Sequence, residues 1–113
     1  MANRSGNAPL HVEVVVAAGT VQADATAIPT NSAPALVVST GNGTVGIRLP
    51  KAVKGKTFYV KNIGGGGLLV WPAVGDAINA LAVDGAITMA TVTSAVFIAQ
   101  NSTTWQTVPT IPS

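Results

Sequence analysis

Few residues in this chain could do chemistry. There is one imidazole, His11, four carboxylates, Glu13, Asp24, Asp76 and Asp84, and no cysteine. A Ser or Thr nucleophile needs a neighbouring base, and the one imidazole sits beside a short polar stretch broken by Pro9. A glycosidase needs two carboxylates flanking the bond it cleaves. Asp76 and Asp84 are eight residues apart, each next to a glycine in a turn-like context, so hydrogen bonding from side chain to turn backbone is the expected role of both. The Asp-rich calcium loop with its terminal Glu is absent from the sequence, and without Cys there is no disulfide and no thiol-ligated metal. The run Gly64–Gly67 could form a backbone nest for phosphate. It is followed by neither Lys-Ser/Thr nor a helix signal, and a flexible link between strands is the expected role. This inventory points away from catalysis, and no cofactor or metal is expected.

The cations carry more information. Arg48, Lys51, Lys54, Lys56 and Lys61, five of six basic residues, fall within 14 positions, with no acidic residue between Asp24 and Asp76. They predict a local cationic patch on two neighbouring strands and their connecting loop. Phe58 and Tyr59 lie inside it, and small barrels that bind nucleic acid use stacking aromatics in such a setting. Successive strand residues face opposite ways, so at most one of the two rings shares a face with the lysines. The net charge of +2 is also a thin footprint for nucleic acid. A solvated edge strand guarded by Lys and a site that docks on an acidic protein surface are the two leading readings, with nucleic acid the third. Trp71 and Trp105 are the largest apolar groups, and core packing is expected of each.

The 113 residues that must position these groups amount to one domain. Charged residues make up 9%, against about 25% in an average soluble domain. The 48% of hydrophobic residues are mostly small, with 18 Ala and 16 Val, and high hydrophobicity with low charge excludes a disordered chain. A monomer of this mass exposes about 5,700 Å². Ten charges cannot cover that area, and an apolar surface of this kind is usually covered by another chain, so a homo-oligomer is expected. No stretch reaches the ~18 apolar residues of a membrane-spanning helix. Glu13 interrupts the apolar stretch 12–18, which argues against a signal peptide and for a protein used without export.

Residues 1–11 read as an extended N-terminal arm and residues 12–113 as a β-domain. Val12, Val14 and Val16 alternate with His11, Glu13 and Val15 at the period of a half-buried strand. Residues 20–34 read as a loop, with room for one helical turn near Asp24. Strand-like runs then follow at 35–40, 44–50, 57–62, 68–72, 75–81, 86–92, 94–101 and 103–109, separated by turn signals such as Gly41-Asn42-Gly43, Asp84-Gly85 and Asn101-Ser102. Eight or nine short strands at about ten-residue spacing, with no helical period and no evident repeat, predict an all-β single domain: a β-sandwich, a jelly roll or a small barrel.

From Gly46 to Pro109 the order GIRLPKAVKGKTFYVKNIG, LLVWPAVGDAINAL, AVFIAQNSTTWQTVP resembles small virion proteins of tailed bacteriophages. These share a Leu-Pro…Gly…Val-x-Asn run, a Val-Trp/Tyr-Pro-x-x-Gly-Asp-x-Ile-Asn strand and a late Phe…Trp pair. The shared motifs are structural and bring no reactive group. The resemblance implies a β-rich, usually trimeric head decoration (cement) protein that binds the major capsid protein on the capsid exterior. It would occupy the host cytoplasm only during assembly, with no small-molecule substrate and no membrane. Arg4, Leu10, Arg48, Lys51, Lys54, Lys56 and Lys61 are the candidate capsid contacts, the arm ordering on binding. The alternative is a receptor- or glycan-binding module of a tail fibre or appendage.

Overall fold

The computed structural model describes residues 11–29 and 33–111. Among these residues, ten strands form two sheets. The first six alternate between the sheets: β1 (His11–Val14), β3 (Ala35–Ser39) and β5 (Thr57–Asn62) pair in parallel in one, and β2 (Thr26–Ala27), β4 (Gly46–Arg48) and β6 (Leu68–Trp71) pair in parallel in the other. One circuit therefore takes 21–24 residues, as the registers His11↔Ala35↔Phe58 and Thr26↔Ile47↔Val70 show. After three coils the chain closes differently. β7 (Ala77–Ile78) and β8 (Ile87–Met89) go one to each sheet, and β9 (Ser94–Ala99) and β10 (Thr104–Val108) form an antiparallel hairpin. The six-stranded sheet has the order β1-β3-β5-β9-β10-β7 and the four-stranded sheet β2-β4-β6-β8.

The domain is all-β, as expected, and most strand positions match the apolar alternation. Its connectivity corrects the rest. Sandwiches and jelly rolls are built from antiparallel neighbours, whereas the first three coils here stack in parallel like a short solenoid. Gly41-Asn42-Gly43 and Asp84-Gly85 are accordingly corners between sheets, and the hairpin turn is the one at Asn101-Ser102. The stretch 75–81 is a strand only at Ala77–Ile78, because Asn79 takes a φ of +55° and ends it. The helical turn near Asp24 is present as a 3₁₀ turn, Gln22–Asp24. His11, placed at the end of the arm, is instead the first residue of β1 and pairs with Ala35.

A repeat is legible after all, in the corners rather than the strands. Gly19, Gly41 and Gly64 recur at 22 and 23 residues, and Pro29, Pro50 and Pro72 at 21 and 22. Where the coils leave the six-stranded sheet, Gly64 lies so close under Gly41 that a Cβ on it would come within 2.0 Å of the Gly41 carbonyl oxygen. The run Gly64–Gly67 is thus a packed corner and not a flexible link: Gly66 N–H donates to Gly41 O at 3.2 Å and Gly43 N–H to Gly67 O at 2.9 Å. Asn62, fully buried, fixes this corner. Its Oδ1 accepts from the N–H groups of Gly41 and Gly64, both at 2.9 Å, and its Nδ2 donates to the carbonyls of Gly66, Met89 and Ala90 at 2.9–3.2 Å. One coil below, Ser39 Oγ donates to Val15 O.

The two sheets enclose a single core. Phe58, Phe97 and Trp105 point in from the six-stranded sheet and Ile47, Leu68, Val70, Ile87 and Met89 from the other. Each such side chain contributes about 1.5–3 kcal/mol. The Phe58 and Trp105 rings lie 6.0 Å apart at a 37° tilt, an arrangement worth about 1 kcal/mol beyond the burial. Trp105 fills the core role expected of it, whereas Trp71 is only half-buried, beside Arg48 on the outer side of the four-stranded sheet.

Candidate docking surface

The cations do not form one patch on neighbouring strands, because β4 and β5 belong to different sheets. Arg48 ends β4, and its Nη1 donates to the carbonyls of Gln22 at 2.8 Å and Ala23 at 3.4 Å. Its guanidinium is therefore tied to the 3₁₀ turn. Lys51 reaches Asp76 Oδ1 at 2.5 Å; the carboxylate is fully buried and the lysine side chain 57% exposed. Lys61 lies on β5, on the outward face of the six-stranded sheet. Lys54 and Lys56 remain together on the β4–β5 loop, where Lys54 is exposed on a turn and Lys56 half-buried. Arg4 and Leu10 lie outside the described residues.

That loop borders a surface hollow of about 450 Å³ lined by Ala33, Pro34, Val53, Gly55, Lys56 and Thr57. Val53, a large apolar side chain, is 53% exposed there. The loop closes on itself, Lys56 N–H donating to Val53 O at 2.8 Å, and is tied to β9, Gly55 N–H donating to Ala99 O at 2.8 Å. It therefore presents the apolar Val53 and the exposed Lys54 from a hydrogen-bonded backbone, with Lys56 half-buried beside them.

Both aspartates weighed as carboxylate chemistry are bound into structure. Asp76 accepts from Lys51 and from Ala52 N–H at 2.8 Å. Asp84, at a φ of +67°, accepts from Gly75 N–H at 2.8 Å and Gln22 Nε2 at 3.1 Å. The Gly75 backbone N–H and then the Gln22 amide hold the Asp84 carboxyl below its ordinary value. His11 bonds its near neighbour Glu13 at 2.9 Å on β1. Among the described residues, no three His, Asp or Glu side chains gather where they could hold a metal, and no helix is long and apolar enough to cross a membrane.

The rings separate as strand alternation requires. Phe58 is core, and Tyr59, 42% exposed, shares the outward face with Lys61. The N-terminal valines form part of the surface. Val12, Val14 and Val16 are exposed, and Val15 is the side chain that enters the core. No protein-family model, curated protein or solved structure matches this chain.

Proposed function

We propose that the protein is a structural attachment protein, which binds the outside of a bacteriophage capsid as a homotrimer and stabilises the mature shell. The observation that carries this reading is the hydrogen-bonded β4–β5 loop, which carries the exposed Lys54 and Val53 beside a hollow that Lys56 helps to line. Such a surface suits an acidic protein partner with an apolar contact at its centre. The resemblance from Gly46 to Pro109 is the ground for proposing a capsid protein as that partner. The two-sheet core, which shares the layering of a sandwich, serves as a scaffold for the loop.

The mechanism is linkage: a protein that binds only the mature shell stabilises it by mass action. Three copies held together raise the effective concentration of the second and third contacts, so weak single contacts become tight in sum.

The test is co-sedimentation of Lys54→Ser/Lys56→Ser with mature capsids across a range of salt. Lys51 is left intact because it secures Asp76. Occupancy that falls several-fold in the variant, and falls with salt in the wild type, supports the reading. Occupancy indifferent to both overturns docking by this loop. Specific sugar binding on a glycan array without capsid binding would transfer the protein to the tail-appendage class.

A further inference from the structure

We infer that the outward face of the six-stranded sheet is the surface through which copies of this chain associate. The inference deepens the reading of a multimeric attachment protein, and rests on it only for the presence of more than one copy.

The registers place Val12, Leu36, Tyr59, Val96 and Val108 side by side in one row that crosses β1, β3, β5, β9 and β10. Val12 is 54% exposed and Val108 57% at its ends, with Tyr59 at its centre. The next row carries Val14, Val38, Lys61 and Ser94, and Val14 is 71% exposed. On the other side of the long row stand Thr57, Ile98 and Gln106. The four-stranded sheet packs against the opposite face, where the core lies, so among the described residues nothing covers these rows.

Two arguments identify the occupant. The first is charge. Lys61 is the one ionic side chain in the three rows. An acidic protein finds one countercharge here, and a nucleic acid or anionic membrane, which needs several cations, finds no more. The partner that fits is largely apolar and carries little charge, and the same face of another copy is such a surface. The second is size. The twelve positions, about 4.8 Å apart between strands and about 6.8 Å apart between rows, cover about 400 Å² in projection. That is the size of the largest patch a monomer leaves open, which is often a functional one. Side-chain relief adds to it, towards the ~800 Å² that each partner gives to a standard interface. A hollow of about 370 Å³ lined by Leu36, Tyr59, Lys61, Val96 and Val108 opens beside the row and can receive a side chain from another copy. Tyr59, at its edge, is of the type that interfaces enrich.

The experiment is native mass spectrometry and sedimentation equilibrium on the full chain, without capsids. Wild type is compared with Tyr59→Glu, Val108→Lys and, away from the face, Lys54→Ser, with circular dichroism to confirm folding. The expected result is an oligomeric wild type, at least tenfold weaker association in both face variants, and no change in Lys54→Ser. Val12→Lys, at the sheet edge, reads the same face should Tyr59→Glu fail to fold. A wild type that is monomeric at about 100 µM overturns the inference, as do folded face variants that associate like the wild type; the latter result leaves multimeric attachment standing. The docking proposal fails with a different signature: an oligomer that the face variants dissociate but that does not sediment with capsids.

Discussion

The carboxylate of Asp76, none of it exposed, lies 2.5 Å from the ammonium of Lys51 and 2.8 Å from the N–H of Ala52. One side chain thus ties the loop after β6 to the chain leaving β4, across a corner of the stack. A lysine that in sequence looked like one of a docking cluster is spent on keeping a buried anion neutralised. Asp76→Ala leaves the Ala52 N–H buried and unpaired and should cost about 3 kcal/mol. Lys51→Met should cost at least as much, about 3 kcal/mol, because it leaves a fully buried carboxylate with one backbone donor and no countercharge. Urea unfolding of the two variants checks both sizes. A loss well below about 1 kcal/mol in Lys51→Met would show that the buried carboxylate does not depend on the ammonium.

Asn62 holds five hydrogen bonds from a fully buried position. Asn62→Asp keeps the shape and the acceptor for Gly41 and Gly64, but turns a carboxylate oxygen towards three carbonyls. Each buried polar group left without its partner costs about 1–3 kcal/mol, so the loss should consume most of the ~5–15 kcal/mol by which a domain is stable. Soluble yield and thermal unfolding are the readouts, and a Tm within a few degrees of wild type would show that the corner does not depend on this side chain.

The glycine run allows a comparison between adjacent residues. A Cβ at Gly64 would overlap the Gly41 backbone, whereas one at Gly65 meets nothing within 4 Å. Gly64→Ala must force the two coils apart and should cost about 3 kcal/mol or more, in the range of overpacking and backbone strain. Gly65→Ala should stay within about 0.5 kcal/mol of wild type. Similar losses at both positions would restore the flexible-link reading of the run.

The sequence showed which stretches are strands better than it showed their partners, for a physical reason. Alternation in 57–62 or 94–99 reports which side chains share a face, a local property of the pleat. It is silent on whether the next strand lies beside it or in the opposite sheet. That choice is made at the corners, where Gly41 over Gly64 and Asn62 set how coils stack, and the 21–23-residue recurrence of Gly and Pro was the available signal. In β1 the apolar signal misled: three valines face out and Val15 faces in, because hydrophobicity marks a buried face only where something covers it. The candidate site was legible in part. Lys54 and Lys56 could be read from charge density, but the separation of Arg48 and Lys61 follows from sheet assignment, and the apolar row exists only once the four registers are known.

Asp84 should give the fold an acid sensitivity that one substitution removes. The N–H of Gly75 and the amide of Gln22 favour its charged form, so its carboxyl titrates lower in the folded chain than in the unfolded one. Stabilisation from this group is therefore complete above the ordinary carboxylate range, near pH 4. It declines as the pH falls through that range to the lower folded value, because the unfolded chain takes up its proton first. Asp84→Asn keeps an oxygen for Gly75 and tolerates the positive φ, but has no proton to gain. The Tm gap between wild type and Asp84→Asn should be constant from pH 7 to about 5 and shrink below about 4. The group is at the surface, so the gap should also narrow in high salt. Melting curves across that pH series decide the matter, and a gap that widens on acidification would contradict the assigned direction.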